Sequence, residues 1–135
     1  MSRIERIAMR IVSAEETVLE WAERHGIEVR DGMLVLYHGT PLQTSRKIMR
    51  SGLKKGSHLI EDKEDAGYFA WRDRQDDGSE VVVFKLLVDP SKIDGGHWAI
   101  ANANLPMNKD TLLGVFSYDP KSRSVGVKDI RREVR

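Results

Sequence analysis

The chain has 135 residues, with 22 Lys and Arg against 21 Asp and Glu; that length supports one core rather than two, and the even balance gives no bulk bias toward or away from nucleic acid. Cysteine is absent, which excludes disulfides, thiolate metal sites and cysteine nucleophiles and fits a reducing, cytoplasmic setting. No apolar stretch approaches the roughly 20 residues of a membrane helix, and the N-terminus lacks the apolar centre of a signal peptide, so no membrane partner is expected.

Ile4, Ile7, Ala8, Ile11 and Val12 recur at helical spacing and predict an amphipathic helix. "SAEE", residues 13–16, reads as a capping box in which Ser13 accepts from the amide of Glu16 and Glu16 reaches back. Val18, Leu19, Trp21 and Ala22 carry the next helix, stopped by Gly26. Residues 1–30 are therefore expected to form a helical lead-in, packed on the following domain or docked to a partner. "GMLVLYHG" is a short continuous apolar run after the turn pair Asp31-Gly32, the pattern of a buried strand, and Pro41 ends it. "TSRKIMRSGL" predicts a short helix with Ile48 and Met49 inward and Gly52 as its stop. "SHLI" is a second short strand, and "EDKEDAGYFAWRDR" a helix with acids crowding its first turn and bases its last. "SEVVVFKLLVD" is the strongest strand, ended by Pro90, and weaker ones follow at "HWAIA", "LLGVFSY" and "SVGVKD". Helices early and strands late predict an α+β fold with a mixed, mostly antiparallel sheet over residues 31–130. The tail at 131–135, "RREVR", is basic and expected to fray.

Three of the four histidines, His38, His58 and His97, fall at predicted strand edges, and His25 at a helix C-terminus. After His38, Gly39 lets a ligand approach the backbone closely and Thr40 adds a hydroxyl. A carboxamide needs a donor and an acceptor, which the N–H and C=O of one residue supply, so "HGT" suits a nicotinamide-like group; a plain strand end and turn is the alternative. Tyr68, Phe69 and Trp71 put three aromatics in four residues. One helix face cannot bury all three, which leaves a ring to line a groove and stack on a base or a nicotinamide. No two histidines sit four apart as a helix-borne zinc pair requires, so no metal is expected. No nucleophile elbow, Walker loop or dinucleotide-binding glycine fingerprint occurs.

Taken together, "LYHGT", then "IMRSGL", then "SHLIEDKEDAGYFA", then "EVVVFKLLVD" resemble the core of the ADP-ribosyltransferase superfamily over about residues 33–107. That group includes the poly-ADP-ribose polymerases, the diphtheria-type toxins and the tRNA 2′-phosphotransferases. The resemblance implies a split antiparallel sheet that grips NAD in its cleft. It implies that His38 bonds the adenosine-side ribose and that Gly39 holds the nicotinamide amide through its backbone, with Thr40 and Ser57 beside the dinucleotide. "DAGYFA" is similar to the segment whose tyrosine stacks on nicotinamide, which points to Tyr68.

Two departures stand out. The family's middle strand usually carries a tyrosine, whereas here the position falls on His58. "SHLIED" is similar instead to the histidine-leucine strand of the tRNA 2′-phosphotransferases, although the lead-in is too short for their basic N-terminal lobe. The polymerase branch also places a glutamate on a late strand, and "GGHWAIANANLP" contains no acid; His97 comes nearest. Losing such electrostatic help costs about 10²–10³ in rate. The resemblance therefore implies an NAD-dependent transferase of ADP-ribose to a macromolecular acceptor, protein or nucleic acid, with His38, His58, Tyr68 and His97 at its centre. An RNA 2′-phosphotransferase and a binding module without turnover are the two alternatives.

Overall fold

The computed structural model describes residues 17–74, 78–95 and 99–135; the helix expected over 4–12 and the box of Ser13 and Glu16 lie outside them. Helix α1 (Val18–Arg24) starts where Thr17 Oγ1 accepts from the Glu20 amide at 3.1 Å, and it is followed by Gly26 at φ +70°. Strands β1 (Val29–Arg30) and β2 (Met33–Pro41) make a hairpin across Asp31 and Gly32. Both turn residues have positive φ, as a two-residue turn matched to strand twist requires. Pro41 closes β2 and opens helix α2 (Leu42–Ser51), which Gly52 ends at φ +87°. After β3 (His58–Leu59), the Asp62 carboxylate accepts from the amides of Glu64 and Asp65 and caps helix α3 (Lys63–Asp73). Strand β4 (Val81–Val88), a 3₁₀ turn at Pro90–Lys92, and strands β5 (Ile93–Asp94), β6 (Ala99–Ala101), β7 (Leu112–Asp119) and β8 (Ser124–Val125) follow.

The strands form two sheets, ordered β1-β2-β4-β7-β8 and β3-β6-β5. Every pairing among the described strands is antiparallel, which confirms the α+β class and corrects the expectation of a mixed sheet. The reason is the route of the chain. Between β2 and β4 it leaves for the second sheet at β3, so β4 returns beside β2 in the opposite sense and no crossover to a parallel neighbour is made.

Alternation decides which side chains meet. Leu34 and Leu36 of β2 lie on the same face as Val82, Phe84, Leu86 and Val88 of β4, against α1, Ile48 of α2 and Leu59 and Ile93 of the second sheet. Val81 and Val83 point the other way, toward Ala66, Tyr118 and Val125 under α3. A register shift against β7 between Lys85 and Leu86 adds local twist to the curl of the large sheet.

The described part of the lead-in belongs to this core: Val18, Trp21, Ala22 and Ile27 are all buried in it. The tail does not fray either. Val134 is 0% exposed, and the Arg131 guanidinium donates to the Leu113 carbonyl at 2.7 Å and to Asp129 Oδ2 at 2.6 Å. Among the described residues no helix is long and apolar enough to cross a membrane. Because Trp21 fills the main core rather than a separate unit, Trp21→Ala should lower the unfolding free energy by about 3–5 kcal/mol. Urea unfolding checks this, and a loss under about 1 kcal/mol would show α1 to be an appendage.

Candidate functional site

The outer edge of β2 builds the site. Val35 donates to the Glu28 carbonyl at 2.9 Å, and Tyr37 and Ile60 exchange both backbone bonds, at 2.7 and 2.8 Å. These odd-numbered residues aim their N–H and C=O away from β4, as alternation along an antiparallel strand dictates. The Tyr37–Ile60 bridge is the last tie between β2 and the second sheet before the sheets part. Gly39, two residues on, aims its N–H and C=O the same way, into the gap.

His38 fills the mouth of that gap. Its Nδ1–H donates to the His58 carbonyl at 2.8 Å, and because a carbonyl only accepts, the proton must sit on Nδ1. In the neutral ring Nε2 is then a free acceptor and base. Two lobes meet at this imidazole. One, about 400 Å³, is lined by His38, Gly39, His58, Ile60, Phe69, Ala70, Arg72, Asp73 and Arg74, among others. The second, about 420 Å³, approaches from the α2 side and is lined by His38, Thr44, Lys47, Ser51, Gly52, Lys54 and Ser57, with Ile48 and Leu53 beneath. Each has the volume of a small-molecule pocket.

Helix α3 sits hard against β2. A Cβ on Gly39 would lie 2.0 Å from the Ala66 carbonyl oxygen and 3.0 Å from Ala70 Cβ. The expectation that Gly39 clears space for a ligand is corrected: the helix occupies that space, and a ligand reaches Gly39 only through its edge amide and carbonyl. On the far flank of α3, Gly67 lets the Tyr118 ring lie against the helix, where a Cβ would come within 2.2 Å of it.

The structure thus brings together His38, Gly39 and His58, and puts Ser57 in the second lobe with its hydroxyl donating to the Lys54 carbonyl at 2.7 Å. Thr40 is not in the cleft; at 3% exposure it pairs with Val82 and shares the core-facing side of β2 with Leu36. Tyr68 does not line the cleft either. Its ring lies under the Arg123 guanidinium, 4.7 Å from the centroid, and beside Trp71. The ring that lines the lobe with His38 is Phe69, covered by Arg72 at 4.9 Å. The reason is helical phase: Ala66, Phe69, Ala70 and Asp73 recur at i, i+3, i+4 and i+7 on the cleft face, and Tyr68 is one position off it. That spacing was present in the sequence, whereas Arg72 and Arg74 gave no signal apart from their charge. His97 lies outside the described residues.

Asp73 is the one carboxylate lining the aromatic lobe among the described residues, and Arg72 Nε–H donates to its Oδ1 at 2.9 Å. Arg74 donates to the Ser79 carbonyl and lies over Trp71. The lobe is therefore cationic, with a flat apolar wall. It can take an anionic ligand that carries a planar ring. Compared with known proteins, the chain matches no family model, no curated protein and no solved structure.

Burial, above all, holds the His38 imidazole below its ordinary value of 6.5, and the neighbouring His58 lowers it further, while the bond to the His58 carbonyl opposes the shift. The ring is neutral at pH 7. The unfolded chain binds this proton more readily than the folded one, so the contribution to stability is complete above about 6.5 and is lost as pH falls below it. His38→Asn keeps an N–H donor for the carbonyl but does not titrate. Between pH 7 and 5 the wild type should lose more unfolding free energy than this variant, by a slope of at most about 1.4 kcal/mol per pH unit. Equal slopes in paired denaturant titrations would refute the neutral ring. Gly39→Ala must push the α3 backbone away from β2 and should destabilise by about 2–3 kcal/mol; a neutral result by calorimetry would contradict the packing.

Proposed function

We propose that the chain binds NAD in the aromatic lobe and transfers ADP-ribose from it to a macromolecular acceptor. The observation that carries this reading is the position of His38, its Nε2 left as an acceptor at the junction of two lobes, one residue from the Gly39 amide and carbonyl that point away from β4. Those two groups of Gly39 match the acceptor and donor of a carboxamide, and Phe69 offers a face for the nicotinamide ring. Arg72 and Arg74 supply charge for the pyrophosphate. His38 Nε2 accepts from a ribose hydroxyl, and His58, exposed on β3, contacts ribose or acceptor. The second lobe gives the acceptor its own way to the imidazole.

In the reaction the bond between ribose C1′ and the nicotinamide nitrogen breaks, and its electron pair leaves with nicotinamide. An acceptor oxygen or nitrogen then bonds C1′ and gives up its proton, for which a neutral imidazole is a suitable base. Holding ring and ribose while C1′ becomes cationic is the source of acceleration. The lining carboxylate, Asp73, is already held by Arg72, so that cation gains little negative charge from the described walls. This favours a second reading, an NAD-binding module without turnover.

Calorimetric titration with NAD, run beside an assay for free nicotinamide, separates the two. Binding with nicotinamide release, lost in His38→Ala, supports the transferase. Binding without release supports the module. Phe69→Ala should weaken NAD by about 5- to 150-fold, as loss of a stacked aromatic costs ~1–3 kcal/mol. An unchanged affinity would remove the ring from the site, and no binding at all would end both readings.

A further inference from the structure

The near-neutral charge of the chain conceals a segregation. Residues 42–60 contain five basic side chains, Arg46, Lys47, Arg50, Lys54 and Lys55, and no acid. The other 116 residues are left with 17 basic against 21 acidic side chains. All five cations are exposed, and none takes part in an ion pair found among the described residues. A solvated helix usually mixes both signs along its surface. Helix α2 carries none of one sign.

The placement on the helix is as particular as the composition. At about 100° per residue, Ser45 and Ile48 form the buried face. Thr44, Lys47 and Ser51 form the flank that lines the second lobe. Arg50 stands on the crest next to that flank, and Lys54 closes the lobe from beyond Gly52. Cations and hydroxyls therefore alternate along one track that runs over α2 and descends to His38. A phosphate needs a cation for its charge and hydroxyl or amide donors for its oxygens. A succession of phosphates needs that pairing repeated.

We propose that this track is the docking surface for a single strand of nucleic acid, whose backbone lies along Arg50, Lys47 and Lys54 and whose nucleotide enters the second lobe. The inference rests on the transferase reading for its purpose, since it names the acceptor that the lobe brings to His38. It does not rest on that reading for its test. A lobe of about 420 Å³ admits a nucleotide of a single strand and excludes a duplex. An acidic peptide is a poorer match, because its carboxylates have no regular spacing to follow a cation–hydroxyl track.

The experiment measures fluorescence anisotropy of labelled 12-residue RNA and DNA oligonucleotides, without NAD, at several salt concentrations. The wild type should bind with log K falling against log salt at a slope of about −2, the value for three phosphates at ~0.7 each on single strands. The triple variant Lys47→Glu, Arg50→Glu and Lys54→Glu should bind at least tenfold more weakly at low salt, with a flattened slope. The control Lys121→Glu, Lys128→Glu and Arg132→Glu, with the same change of charge on other exposed positions, should bind as the wild type does. Circular dichroism confirms that both variants are folded, and Lys47→Gln with Lys54→Gln serves if the reversal unfolds α2. No binding, equal loss in the control, or equally tight binding of polyglutamate would overturn the proposal. If oligonucleotides bind but NAD does not, the docking surface stands and the transferase reading falls. If NAD binds and oligonucleotides do not, the reverse holds.

Discussion

The contact on which the rest of the molecule depends is the seating of α3 on β2 at Gly39. With no side chain there, the Ala66 carbonyl comes so close that even a methyl group would have to lie 2.0 Å from it. This approach sets the height of α3 above the sheet. It brings Phe69 and Arg72 to line the lobe beside Gly39, next to the gap beyond the Tyr37–Ile60 bridge. A bulkier residue at 39 would lift the helix and widen the cleft while uncovering Val81 and Val83, so the core on this face and the shape of the site are one requirement.

The split between the sheets follows from the same economy of edges. A strand edge with unpaired N–H and C=O groups is a liability that proteins cover, twist away or use. Here β1 covers the start of β2, Ile60 covers one residue further on, and the His38 ring caps the His58 carbonyl. Beyond them, this edge of β2 continues to Gly39, whose main chain points away from β4. The imidazole itself is fixed by that bond, which sets its tautomer and its direction. A neutral ring with one bonded nitrogen and one open nitrogen has the same form as the base of a hydrolytic triad, oriented by a main-chain carbonyl in place of a carboxylate.

Much of this could be read from the residues in order, because the governing rules are local. The Asp62-capped start of α3, the Gly52 stop of α2, the Asp31-Gly32 hairpin and the apolar run of β4 are each decided within a few residues. Helix α1 starts at the cap Thr17, a threonine with a glutamate three residues on. What pattern alone could not decide was phase and partner. Tyr68 and Phe69 are adjacent and chemically similar, and only the seating at Gly39 determines which of them turns to the cleft. Thr40 was singled out beside His38 and shares its face of β2, yet it lies deeper, 3% exposed beside Val82, while His38 reaches the cleft. Strands β1 and β5, of two residues each, have no period to detect, and Val134 looked like part of a charged tail because a single apolar residue has none either.

The charges of the cleft then set what chemistry it favours. Arg72, Arg74, Lys47 and Lys54 surround a junction whose histidine is kept neutral by burial, and the one lining carboxylate among the described residues is matched by its neighbour. Such a site attracts phosphates and polarised carboxamides well, because every fixed charge on its walls is either positive or cancelled. It is less suited to a developing cation at C1′, which the same walls repel. A strand of phosphates lying along α2 would change that balance. Its negative charge would enter the second lobe only when the acceptor is in place, so the groups that neutralise the walls would arrive together with the nucleophile. In such an arrangement an acid on the late strand is not required of the protein, since the acceptor brings its own anions to the junction.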